Sequence, residues 1–503
     1  MSAIKIGWAM REISIDDNLC LFGQMHLRIS QGILDPTYTT ALVLDSGEGH
    51  AIFCCCDIEA HRGDSIQRTI DKVVAMRPEI DPNSIVMNAT HTHAAGSLLP
   101  TDPTSPDGVP LYDGMQYREF VAQQSADAIV EAWDKRSEGG IAYGYGYAVV
   151  GHSRRSVYSV DRFQNTKGLV IAPNGHGVMY GNPNRPEFSH YEAGADHFLN
   201  LMFTYDSRNK LTGIIVNVPC PSQVCGGSML QSSDYWHDVR QAVKETYGED
   251  VMVMPQCAFA GDISPRILHY DVAQSRRMKL KYGMEYDPVT WKTGSTTDYN
   301  TKAMAERKDI CERIMAGINE VYGWASKDIQ TELKIKSVFK VITVPRRFIT
   351  DEEKAWCENT LEVAKSCVPD PKDSTPEEYR KAFSNYNSLK GRNERALRMY
   401  EEQKTDPTRE VNLHVVQVGD VAFTTCPYET YMDYMHRIQA RSPFTQTFVI
   451  QLCSGPDASY LATERAMANK GYSASIFCNR IGAEAGQAIV DASVETLCEI
   501  YEN

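Results

Sequence analysis

No apolar run in the 503-residue chain approaches the roughly 20 residues a bilayer span needs, so no membrane span is expected. Positive charge is also scarce: 51 Lys and Arg face 65 Asp and Glu, a net charge of −14, and the pI is about 5.5. Nucleic acid and anionic membranes both reward a basic face, so neither is expected as a partner. No Cys-x-x-Cys pair with zinc-finger spacing occurs. The amino terminus lacks the charged-then-apolar pattern of a secretory leader, so the fourteen cysteines are expected to be reduced and the chain cytoplasmic. Repeats and low-complexity linkers are missing too. What is present, 42% hydrophobic residues with Pro and Gly spread throughout, describes a globular chain.

The pattern predicts an α/β fold of mixed sheets flanked by helices. Thr40–Leu44 and Ala51–Phe53 read as a hairpin around Ser46–Gly49, and Cys54-Cys55-Cys56 continues the second strand with thiols on alternating faces as small apolar core. Ser65–Arg77 has helical periodicity. Further strands are expected at Ser84–Met87, Ile214–Val218 and Val251–Met254, and Val411–Val418 with Val421–Thr425 reads as a tight hairpin. Thr101–Gly114, rich in Pro, Asp and Gly, is either the rim of a site or a connection. Residues 351–409 are charged and helix-rich, read as a solvated insertion without chemistry, in a single large domain over 1–503.

Polar residues follow several of these strands. Thr90-His91-Thr92-His93 comes after the Ser84–Met87 run, and strand alternation would turn both imidazoles to one side, one for a metal and one for substrate. Cys220 follows Ile214–Val218, with Ser232-Ser233-Asp234 beyond it. Gly261–Pro265, then Cys426–Glu429, then Tyr460 with Tyr472 complete the series. Each stretch alone has an ordinary structural reading: a hydrogen-bonded histidine, a helix-start carboxylate, a turn serine or a packing aromatic. His152, His176 and His414 read as surface or structural.

The order of these motifs resembles the catalytic domain of the neutral (non-lysosomal) ceramidases, from about Ile6 to Ala485. Ala89-Thr90-His91-Thr92-His93, Gly261-Asp262-Ile263-Ser264-Pro265 and Pro427-Tyr428-Glu429 match the family's stretches. Tyr460–Glu464 and Arg154-Arg155-Ser156 match loosely, and Tyr472 corresponds to a second family tyrosine. The resemblance implies a zinc-dependent hydrolase in which a water on the metal attacks an amide-type bond of a small-molecule substrate. It implies His91, Glu429 and Tyr460 as zinc ligands, with His93 and Tyr472 hydrogen-bonding the developing oxyanion. Arg155 and Ser264 would bind substrate.

Cys220 stands where the family has its second histidine ligand, and Ser233-Asp234 keeps the flank in register. A thiolate is a good zinc ligand, so Cys220 is carried as a candidate, with His237 as a substitute. Ala94-Ala95-Gly96-Ser97 replaces the family's Ser-Gly-Pro-Gly, and the carboxy-terminal β-sandwich is not expected. These departures point to a substrate other than membrane ceramide. The alternatives are a metal-dependent hydrolase or lyase for a sugar- or cyclitol-like molecule, and a non-catalytic binding protein.

Overall fold

The structure, a computed structural model, describes residues 3–161, 175–284 and 299–502. Its centre is an eight-stranded mixed sheet of β1 (Lys5–Glu12), β2 (Tyr38–Asp45), β3 (His50–Cys56), β4 (Ile85–Ala89), β5 (Ser137–Tyr147), β6 (Phe198–Asp206), β7 (Leu211–Val218) and β8 (Met252–Cys257). The strand order is β8-β7-β6-β5-β1-β2-β3-β4. Most neighbours are antiparallel, with β1 and β2 paired from Lys5↔Asp45 to Glu12↔Tyr38, but β3–β4 and β7–β8 run parallel. A second sheet holds β9 (Ile335–Pro345), β10 (Thr408–Val418), β11 (Val421–Thr425) and β12 (Gln446–Ile450), with β11–β12 parallel.

The sheets pack face to face. Leu42, Phe53, Cys55 and Val86 meet Val416, Phe423 and Phe448 in one apolar cluster, and the Phe53 and Phe423 rings lie 4.7 Å apart. Side chains alternate along a strand, so β3 splits its cysteines as expected. Cys55 faces the second sheet, while Cys54 and Cys56 pack under α1 (Ser65–Met76) and α2 (Gly114–Lys135). Helices α3 (Tyr235–Tyr247) and α4 (Tyr299–Ala325) pack on each other over the β5–β8 half of the sheet. Among the described residues, no helix is long and apolar enough to cross a membrane.

The charged segment contains α5 (Asp351–Ala364) and α6 (Pro376–Glu402), each opened by a capping box, Thr350 with Glu353 and Thr375 with Glu378. Contrary to the sequence expectation, this segment is not simply a solvated face. Leu389, Asn393, Ala396 and Met399 of α6 are buried. Arg380 pairs with Asp107 at 3.2 Å with both side chains largely shielded. Ser384 accepts from the Leu27 amide at 3.0 Å.

The layout brings five strand ends together. Glu59 follows β3, His91 and His93 follow β4, Gln223 lies beyond β7, Ser264 beyond β8 and Glu429 beyond β11. Carboxyl ends of parallel strands are where such sheets form binding crevices.

Candidate metal centre

A cavity of about 820 Å³ opens at these strand ends. Among the described residues, Glu59, His91 and Glu429 bring ligand atoms within 4.8 Å of one another, all three buried. Glu59 is not among the sequence candidates; the Asp57-Ile58-Glu59 that runs on past β3 is the signal for it in the sequence. A fork from Arg62 holds its carboxylate at 2.8 Å.

His91 does not enter by strand alternation. β4 ends at Ala89, and His91 takes a left-handed φ of +63°, a conformation rare for non-glycine residues. That kink, rather than period-two geometry, brings the rings together at 4.8 Å between centroids. His91 Nδ1 lies 2.7 Å from the Glu59 carbonyl oxygen. A carbonyl only accepts, so the network assigns the proton of the neutral ring to Nδ1 and leaves Nε2 as a lone pair. That Nε2 is 3.3 Å from Glu429 Oε2 and 3.3 Å from His93 Nε2.

Glu429 stands in a two-residue parallel ladder, Glu429–Thr430 beside Tyr460–Leu461, which sets it next to Tyr460. Gly261 packs directly behind: a Cβ there would sit 2.4 Å from the Glu429 carbonyl oxygen, so this close approach needs glycine. Arg154 Nη2 donates to Glu429 Oε2 at 3.4 Å, to the Tyr460 hydroxyl at 3.2 Å and to the Gly261 carbonyl at 2.8 Å.

Charge and burial compete here. Burial alone would push the His91 pKa down, but Glu429 beside it overrides this and holds the ring above its ordinary value. Burial likewise opposes the Glu429 carboxylate, yet His91 and Arg154 keep it below the usual range. His93 lacks such a partner, and burial, with His91 and two arginines nearby, pushes it well down. Burial raises the phenols of Tyr460 and Tyr472, which stay protonated donors.

Of the sequence candidates, His91, His93, Ser264, Glu429, Tyr460 and Tyr472 line this cavity. Ser264 pairs with His152 in a short ladder and its hydroxyl accepts from the Arg266 amide at 3.1 Å. The Tyr460 and Tyr472 rings meet edge to face at 5.8 Å, and Arg392 of α6 lies over Tyr472 at 5.4 Å. Arg155 is placed elsewhere. It is buried against Glu192 (2.5 and 3.1 Å) and donates to the Lys470 carbonyl, while its neighbour Arg154 enters the cavity. Cys220 also lies outside the lining: its Sγ is 3.5 Å from the Pro221 carbonyl oxygen, and burial raises its thiol pKa well above 9. His237 stands 3.9 Å from Asp35, away from the lining.

Other residues enter unannounced. His152, read as surface or structural, is a lining residue whose pKa burial lowers to about 4. The loop at 101–114 does not line the cavity and serves as a connection. One wall is α4, where Lys302, Glu306, Asp309 and Arg313 recur at helical spacing. Lys302 Nζ lies 3.7 Å from Glu306 Oε1. Asp309 is clamped by Arg277, Lys281 and Arg313, which pull its pKa to about 2 against its burial.

No protein-family model matches the chain, and no curated protein matches it. Solved structures do. The whole chain aligns with 75% of neutral ceramidase from Pseudomonas aeruginosa, at 13% identity and a TM-score of 0.67. It aligns equally fully with 76% of a ceramidase complexed with C2, at 13% identity and a TM-score of 0.63. The chain has the fold of the neutral ceramidases.

Proposed function

We propose that the protein is a zinc-dependent hydrolase that cleaves an amide-type bond in a small molecule other than membrane ceramide. The observation that carries this is the convergence of Glu59, His91 and Glu429 within 4.8 Å at the base of a large cavity. The donor set fits the metal: His91 offers an imidazole nitrogen oriented by a carbonyl, and two carboxylates stand beside it. Bound there, zinc supplies Lewis-acid polarisation and a nucleophile at neutral pH.

The side chains divide the remaining work. Glu59, held in place by the Arg62 fork, accepts a proton from the attacking water. Arg154 fixes Glu429 and Tyr460 relative to each other. The Tyr460 and Tyr472 phenols, protonated at neutral pH, donate to the oxygen on which charge develops. Ser264 offers a further hydroxyl to the substrate from the cavity wall.

A second reading, a sugar- or cyclitol-like substrate, is favoured by the α4 wall. An acyl chain laid against Lys302, Glu306 and Arg313 would desolvate charges without pairing them, whereas hydroxyl and amine groups would pair.

The test is elemental analysis of the purified protein, followed by turnover of fluorescent ceramide, N-acyl amino compounds and glycosides. Stoichiometric zinc with amide turnover that disappears in His91→Ala supports the first reading. Glycoside turnover with no amide turnover favours the second, and absence of any stoichiometric metal favours a binding protein.

A further inference from the structure

We propose that the α4 wall is a subsite for a compact oxyanion, carboxylate or phosphate, which the substrate carries away from its scissile amide bond and which Lys302, Arg266 and Arg313 grip. This rests on the amide-hydrolase reading above and narrows its substrate class to anionic amides.

The cavity lining divides chemically. Glu59, His91 and Glu429 bring the metal donors together, while α4 contributes Lys302, Glu306, Asp309 and Arg313 from one face. Arg266 adds a guanidinium from beyond β8. One cavity of about 820 Å³ holds both sets, a volume that encloses a single small molecule. A substrate with its amide at the metal donors therefore lays its other part against charged side chains.

Those charges do not balance. Arg277 and Lys281, from the helix Asp271–Tyr282, each stand 2.7 Å from Asp309, and neither lines the cavity. Lys281 also pairs with Glu312. Two cations outside the lining thus offset two carboxylates, and Arg313, which pairs with Asp309 as well, is in excess. The surplus holds the Asp309 pKa at about 2 although burial opposes ionisation. Glu306 is the remaining carboxylate of the wall. Its pair with Lys302 is loose, at 3.7 Å, and burial raises its pKa despite Lys302 and Arg266 beside it. Toward the cavity, Lys302, Arg266 and Arg313 are answered by Glu306 alone, inside a chain of net charge −14.

The wall is also held firmly. Arg307, buried on another face of α4, is locked to Asp35 and Asp238, each at 2.7 Å. Arg313 Nε donates to the Val149 carbonyl at 2.6 Å, which orients its guanidinium. Such a planar fork matches the oxygens of a carboxylate or phosphate, and fixed donors lose little freedom on binding. The competing account is a wall whose charges only hold α4 in place.

The probes that separate these accounts are N-hexanoylglycine, N-hexanoyl aminoethyl phosphate and uncharged N-hexanoyl ethanolamine. Zinc-loaded wild-type protein should cleave one or both anionic probes with kcat/KM roughly tenfold or more above the uncharged one, through KM. Whichever anion is preferred tells carboxylate from phosphate. Lys302→Glu should cancel or reverse the preference, which a merely structural role would not do. Calorimetric titration of the wild-type protein with the same probes reads the preference without cleavage and without any variant. Equal kcat/KM and equal affinity for charged and uncharged probes, or a preference that survives Lys302→Glu, overturns the subsite and leaves the hydrolase reading standing. Tighter binding of an anionic probe that Lys302→Glu abolishes, with no amide cleavage, supports the subsite and overturns the hydrolase reading.

Discussion

The end of β4 and the end of β7 lie side by side, tied where Ser222 Oγ donates to the Thr90 carbonyl at 2.6 Å. Yet they treat their chemistry-bearing residues in opposite ways. Past β4 the chain kinks at His91, φ +63°, and both imidazoles enter the cavity. Past β7 it turns tightly, the Cys220 amide donating to the Val218 carbonyl at 2.8 Å. The thiol stays in the apolar layer, and Gln223, three residues on, reaches the cavity instead. Position at a strand end nominates a residue for the site; the backbone turn after it decides.

The largest expected effect separates the two ends outright. His91→Ala should abolish stoichiometric zinc retention after dialysis, measured by elemental analysis, whereas Cys220→Ser should retain it. The adjacent arginines repeat the contrast within two residues. Arg155→Met strands the buried Glu192 carboxylate and should cost about 3–5 kcal/mol in urea unfolding. Arg154→Met should leave the fold intact and lower zinc affinity or turnover roughly 10–100-fold, since Arg154 supports Glu429 from outside. The smallest effect concerns Cys220 itself. Burial raises its pKa, so it remains a thiol as pH climbs through 7 to 9. Its alkylation by iodoacetamide, followed by peptide mass spectrometry, should stay negligible over that range while exposed Cys367 reacts. Rapid modification of Cys220 with rising pH would erase the contrast.

The fold and much of the lining were legible in the sequence because periodicity and motif order survive at low identity. The hairpin of β10 and β11 and the helix at Ser65 both follow from local pattern. What could not be read depended on non-local geometry. Nothing in Arg154-Arg155 says which guanidinium faces the cavity; the answer comes from Glu192 waiting on the other side. Glu59 gains its meaning only because β3 runs parallel to β4. The charged spacing of α4 carries no local sign that the helix packs against the strand ends, and the charge of α6, read as a solvated face, conceals that Arg392 lies over Tyr472.

The most direct measurement is a crystal structure of the zinc-loaded protein. The account predicts His91 Nε2 about 2.0–2.1 Å from zinc, with a Glu429 oxygen beside it. Cys220 Sγ at about 2.3 Å from the metal would contradict it.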